Sequence, residues 1–204
     1  MILSDREIIA ALRRQFIRIT PEPDPADPDI WSSTALDLRL DAKLEVWRAW
    51  SGPGQAAIDP SDPEFNATLL AGARATPVDC SNGFEIDPGM FLLGWTIEKI
   101  QLPHASRIAA RVEGKSSLAR IGIGVHVTAP TIHAGFGYLS SDPAFPGNPI
   151  QLEIWNAGPL KVRLVKGLRI CQLIFEEVHG TPSKGYDGRF SIQGPDAPPG
   201  IRVT

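Results

Sequence analysis

From Phe84 to Val178 the chain is cut into short apolar runs, at 84–86, 90–97, 107–113, 123–128, 150–155, 160–165 and 168–178. The cuts are Asp87-Pro88-Gly89, Gly114, Gly135, Ala157-Gly158-Pro159 and Lys166-Gly167. Runs of this length bounded by glycine and proline read as strands joined by tight turns. They predict an all-β barrel or sandwich, in which adjacent runs are either separate strands or bent halves of one. The 19 Gly and 19 Pro among 204 residues are spread along the chain, as such a fold requires, and the length suits one domain over residues 1–204.

Upstream of these runs the pattern changes. Ser4-Asp5-Arg6-Glu7 carries a capping-box signature, and Ile8, Ile9, Leu12 and Phe16 recur at helical spacing, so residues 5–15 read as one amphipathic helix. The proline-rich stretch 21–28 cannot continue it. Leu36, Leu38 and Leu40 then alternate with Asp37 and Arg39, and Leu44, Val46 and Trp50 extend this strand pattern. Residues 51–80 read as a long surface excursion with one short helix over 64–71. The last segment, 179–204, is rich in Gly, Pro and Ser and cannot build a core, so it must drape over the rest or stay disordered.

Charge and composition exclude several function classes. A net charge of -3 provides no basic field for a nucleic-acid duplex, so an anionic ligand must be small and met locally. No apolar run approaches the ~18 residues that span a bilayer, and the N-terminus lacks a leader pattern, so a cytoplasmic location is expected. Cys80 and Cys171 stand too far apart in the chain for a disulfide framework or a paired-thiolate zinc site. His104, His126, His133 and His179 show no metal-ligand spacing.

Three segments carry chemistry. In Glu113-Gly114-Lys115-Ser116-Ser117-Leu118-Ala119-Arg120 a strand ends at glycine and a short helix starts at the serines. Unpaired N–H groups, two hydroxyls and the flanking cations suit an anion, and a plain serine N-cap is the alternative. The spacing is not that of a P-loop. In Ile150-Gln151-Leu152-Glu153-Ile154-Trp155-Asn156, Gln151, Glu153 and Trp155 share one face of a strand. Glu153 is there a solvent-facing carboxylate or, if the face lines a closed pocket, a proton carrier. In Tyr186-Asp187-Gly188-Arg189-Phe190-Ser191-Ile192-Gln193 a cation, two rings and an amide could close over a bound anion; a floppy tail is the alternative.

Together and in this order, and with Val125-His126-Val127-Thr128-Ala129 after the serine motif, these segments resemble the dCTP deaminase branch of the dCTP deaminase/dUTPase superfamily. The start, Leu3-Ser4-Asp5-Arg6-Glu7-Ile8, and the strand Ala35-Leu36-Asp37-Leu38-Arg39-Leu40 are also similar to it. The resemblance covers most of residues 1–195 and is strongest over 91–178. It implies a distorted dUTPase-like β-barrel, a homotrimer with sites at subunit interfaces, and hydrolytic deamination of dCTP to dUTP without zinc. The His-x-Glu and Pro-Cys-x-x-Cys elements of the zinc deaminases are indeed missing from the sequence. Carried over by resemblance, Glu153 is the general base and acid, while Ser116 and Arg120 position water and stabilise charge. Lys115, Ser116, Ser117, Leu118, Ala119 and Arg120 belong to the nucleotide pocket, with Gln151 and Leu152 near the base. Tyr186, Arg189 and Gln193 match the tail positions that close over a triphosphate bound with magnesium.

Two departures stand out. The family loop Ile-Asp-Pro/Ala-Gly is here Ile132-His133-Ala134-Gly135, so an imidazole replaces the carboxylate that lies against deoxyribose. In dUTPases that carboxylate is tied to diphosphate release, so its loss argues against dUTP hydrolysis. The segment 138–149 is about ten residues longer than the usual link, which loop-closure entropy tolerates cheaply. The competing expectations are a bifunctional enzyme that carries dCTP through to dUMP, and a nucleotide-binding regulatory protein without turnover.

Overall fold

A computed structural model describes residues 1–47, 57–125, 129–142 and 144–186. Helix α1 spans Asp5–Arg13 with the expected capping box: Ser4 Oγ accepts from the Glu7 N–H, and the Glu7 carboxylate accepts from the Ser4 N–H. It buries Ile8, Ala11 and Leu12. The helix ends two residues before the expected boundary because Gln15 takes a left-handed conformation, φ 60°, which a right-handed helix cannot continue. Phe16 therefore lies outside the helix and is exposed.

The strands are β1 (Arg18–Thr20), β2 (Trp31–Ser32), β3 (Ala35–Trp47), β4 (Ala75–Asp79), β5 (Phe84–Ile86), β6 (Phe91–Gln101), β7 (Ile108–Gly114), β8 (Ile123–Val125), β9 (Thr131–Ile132), β10 (Asn148–Asn156), β11 (Val162–Leu164) and β12 (Arg169–Glu177). Helices α2 (Ala67–Arg74) and α3 (Ser116–Ala119) interrupt them. Among the described residues ten strands form one antiparallel sheet with central order β8-β10-β6-β3-β12-β7-β9, while β5 and β11 pair separately. The sheet curls because β3 serves two neighbours in succession. Its first half pairs with β12 and its second half with β4 and β6, with a register shift between Leu40 and Leu44. At the far side β7 and β8 meet next to α3, where a Cβ added to Gly114 would lie 3.8 Å from the Val125 carbonyl oxygen. The expected all-β class is thus observed, as a curled antiparallel sheet that forms half a barrel.

The core fills the inside of this curl, with Leu36, Leu38, Leu40, Leu92, Ile100, Leu152, Ile154, Leu173 and Phe175 essentially sealed from solvent. One reading of the N-terminal half needs correction. The helix expected over 64–71 lies at Ala67–Arg74 and runs directly into β4, so the excursion supplies a strand. The alternation of Asp37 with the leucines does not make it an exposed position: Asp37 is buried, because both faces of β3 are covered over Ala35–Leu38, where it pairs with β12. The expected continuation of β3 to Trp50 lies outside the described residues. No helix among the described residues is long and apolar enough to cross a membrane.

Candidate active site

The Glu153 strand follows the expected alternation. Ile150, Leu152 and Ile154 point into the core, while Gln151, Glu153 and Trp155 stay half-buried on the outer face. A register shift between Pro149 and Gln151 sets the approach to this stretch. There the Ile150 N–H donates to Thr96 Oγ1 at 2.9 Å, and the Thr96 hydroxyl donates to the Glu98 carbonyl at 2.7 Å. One buried hydroxyl thereby satisfies the backbone group that the shift would strand.

Glu153 stands opposite Leu93, which stands opposite Glu45, so the three form a row on one outer face. The next row is aromatic: Trp155 faces Phe91, whose ring meets Trp47 edge-on with centroids 6.3 Å apart. Trp155 also lies over Gly124, where an added Cβ would come within 2.3 Å of the indole. Burial pushes the Glu45 carboxyl above the usual carboxylate range. Glu153 is therefore half-buried on the outer face of the sheet, in a row with Leu93 and Glu45 and beside Trp155, where a ligand or chain laid over it would take it further from water.

The serine turn is built at the β7–β8 seam. Lys115, extended at φ -88° and ψ 132°, is the N-cap of α3, and no side chain caps the helix, which removes the plain serine-cap alternative. Ser116, Ser117 and Arg120 are exposed, and Leu118 packs against the core. The turn is anchored to the end of β10: the Ala157 N–H donates to the Gly122 carbonyl at 2.8 Å, and Gly122, at φ 88°, would place a Cβ 2.2 Å from the Gly158 nitrogen. The Lys115 ammonium donates to Asp37 Oδ2, with Arg169 Nε 3.9 Å from the same oxygen. Sequence reasoning missed Asp37 because its partner lies 78 residues away and an alternating pattern carries no trace of it.

His133 follows β9 in a loop bonded to the end of β6 through Gly135 N–H to Leu102 O at 2.6 Å and Leu102 N–H to Phe136 O at 2.8 Å. Its ring is stacked on Tyr186, centroids 5.4 Å apart and planes 21° apart, and Phe136 lies 6.4 Å from the same tyrosine. Tyr186 thus packs on the fold, as a draping segment would. Phe136 was not singled out from the sequence, although its place beside the glycine of the His133 loop was the available signal. The long segment 138–149 rests on β1 and β6, with Arg18 over the Tyr138 ring at 5.8 Å and Gln101 donating to the Phe145 carbonyl.

The structure therefore gathers the candidates into two groups. Lys115, Ser116, Ser117, Leu118, Ala119 and Arg120 lie beside the Asn156 end of β10, to which β8 joins α3, and Gln151, Leu152 and Glu153 lie three to five residues before that end on the same strand. His133 and Tyr186 sit toward the other end of β7, where Ile132 pairs with Ala110, so about 20 Å of strand separates them from α3. Arg189, Gln193 and the His126–Thr128 part of the motif lie outside the described residues. Among the described residues no three His, Cys, Asp or Glu side chains converge as a metal site.

Comparison with known proteins finds that residues 2–178 match the family model described as dCTP deaminase-like. The chain is 36% identical over 186 residues to "dCTP deaminase, dUMP-forming" of Tropheryma whipplei, covering 91% of this chain and 83% of that one. It is 38% identical over 185 residues to the protein of the same description from Methanosphaera stadtmanae, with the same coverage. A relative from Pseudoalteromonas atlantica described as "dCTP deaminase" is 35% identical over 194 residues, covering 93% of this chain and 87% of that one. Among solved structures, 2'-deoxycytidine 5'-triphosphate deaminase from Agrobacterium tumefaciens superposes with a TM-score of 0.62 at 24% identity. That match covers 87% of this chain and 48% of the longer one, and it speaks to the fold.

Proposed function

The chain belongs to the dCTP deaminase-like family, and on that premise we propose that it hydrolyses the exocyclic amine of dCTP, releasing dUTP and ammonia. The observation that carries this reading is Glu153, held on an outer strand face by Thr96 and β8 and flanked by Leu93 and Trp155. Its carboxylate takes a proton from water as the oxygen bonds to C4 of cytosine. It returns a proton to the amine as the C4–N bond breaks, so ammonia leaves, and the proton of the added hydroxyl ends on N3 as the C4 carbonyl forms. Ser116 and Arg120 orient that water and offset charge on the ring. No step is routed through zinc.

Lys115, Ser117, Leu118, Ala119, Gln151 and Leu152 complete the base and phosphate contacts, His133 stands at the position of the family's sugar-facing carboxylate, and the 179–204 tail brings Tyr186, Arg189 and Gln193 over the triphosphate. Magnesium enters with the phosphates. The described carboxylates do not cluster to hold it, so it is assigned no protein ligand and no step. A cytoplasmic homotrimer working in deoxypyrimidine nucleotide supply fits this reading. The assembly is supported by the ~20 Å of strand between α3 and His133, which exceeds the distance from a nucleotide's sugar to its adjacent phosphate. Two protomers meeting at each site would bring the groups together.

A second reading, release of dUMP, is favoured by the descriptions of the Tropheryma and Methanosphaera relatives and opposed by the imidazole at position 133. The deamination step is tested by Glu153→Gln. The variant is expected to assemble and bind nucleotide while turnover falls about a hundredfold or more, as loss of a general acid–base group dictates. Near-normal turnover would remove Glu153 from the mechanism.

A further inference from the structure

We propose that His133 is a positioning residue: its imidazole seats Tyr186 and so fixes where the C-terminal segment leaves the fold. Three features at this corner converge. The His133 and Tyr186 rings are nearly parallel at 5.4 Å, and Phe136, itself buried, backs the tyrosine at 6.4 Å. Gly135, at φ 99°, lies so close to the incoming segment that a Cβ there would stand 2.2 Å from the Tyr186 nitrogen and 2.7 Å from the Gly185 Cα. On the other side a Cβ added to Gly185 would come within 3.4 Å of His104 Nδ1.

The segment is therefore held by a ring on one side and by main chain and His104 on the others, and the loop that holds it is itself bonded to Leu102, the residue after β6. A carboxylate at position 133 has no ring to stack, so this seat depends on the imidazole. An aromatic pair of this kind contributes about fivefold to an equilibrium. On the proposed reading, in which the residues after Tyr186 meet the triphosphate, His133 acts on the ligand by fixing where that stretch begins.

The test compares His133→Ala, His133→Asp, His133→Asn and His133→Phe with the parent in two assays. The first is the rate of tryptic cleavage after the exposed Lys184 without nucleotide, read by mass spectrometry. The second is kcat and KM for dCTP. Ala and Asp are expected to speed cleavage about fivefold and raise KM by a similar factor with kcat within about twofold. Phe, which keeps a ring and lacks the N–H, is expected to restore both. Unchanged cleavage in Ala, or Phe as loose as Ala, would overturn the proposal, as would an Asn variant that restores KM where Phe does not. The kinetic arm rests on the deaminase reading and the cleavage arm does not. Inertness toward dCTP with the expected cleavage pattern would remove that reading and leave the seat standing.

Discussion

At the scale of single residues, the Lys115–Asp37 pair shows how a motif residue serves the fold. Asp37 is 8% exposed, and its carboxylate meets Lys115 and, more distantly, Arg169. Removing one partner of a buried pair leaves the other charge uncompensated and costs about 3–5 kcal/mol, the lower end applying because the Lys115 side chain is 24% exposed. Lys115→Met is therefore expected to lower Tm by about 6–12 °C without nucleotide, on the ~2–4 °C per kcal/mol typical of chains this size. Thermal unfolding checks this; an unchanged Tm with weakened dCTP binding would reassign Lys115 to the ligand alone. The two cysteines have no such visible role. Both are buried with their thiols pushed up, Cys171 chiefly by desolvation with Glu98 and Asp37 adding to it, so neither is poised as a thiolate.

At the scale of elements, what the sequence revealed depends on whether the signal was local. The α1 cap and the inward and outward sets of β10 were legible because a capping box and a period-two alternation are complete within a few residues. Strands β1, β2 and β9, two or three residues long, carry too few positions for a pattern, and β4 was hidden in a stretch whose pairing with β3 is purely tertiary. Thr96 belongs to this second class. Its hydroxyl links β6 to the Ile150 N–H across 54 residues, at the register shift that aims Gln151 and Glu153. Thr96→Val keeps the shape and strands a buried donor, at a cost of about 1–3 kcal/mol. The expected outcome is a Tm lower by several degrees together with a kcat loss that exceeds any change in KM, measured on the same preparation. A kcat that is unchanged would mean that β10 keeps its aim without the hydroxyl.

At the scale of the molecule, the curl of the sheet determines which groups one chain can offer a ligand. The serine turn is joined through β8 to the strand that carries Glu153, and His133 with Tyr186 lie toward the far end of β7, so the two halves of the candidate site are parts of one architecture without being neighbours. The family resemblance was legible because its motifs are contiguous in sequence. The separation was not, because it depends on β9 pairing with the start of β7 and on β8 pairing with β10, contacts that no local pattern announces. The imidazole at 133 lies toward the far end of β7 from α3, and the 138–149 segment rests on β1 before leading into β10, so neither feature replaces Glu153, Ser116 or Arg120. Chemistry at C4 is accordingly expected to survive them. The most direct measurement is to incubate the purified chain with dCTP and magnesium, separating nucleotides by chromatography while assaying ammonia. The account predicts one ammonia for each dCTP consumed, with uracil appearing as dUTP, or as dUMP if the second reading holds. Intact dCTP with no ammonia released, while dCTP still binds, would contradict it.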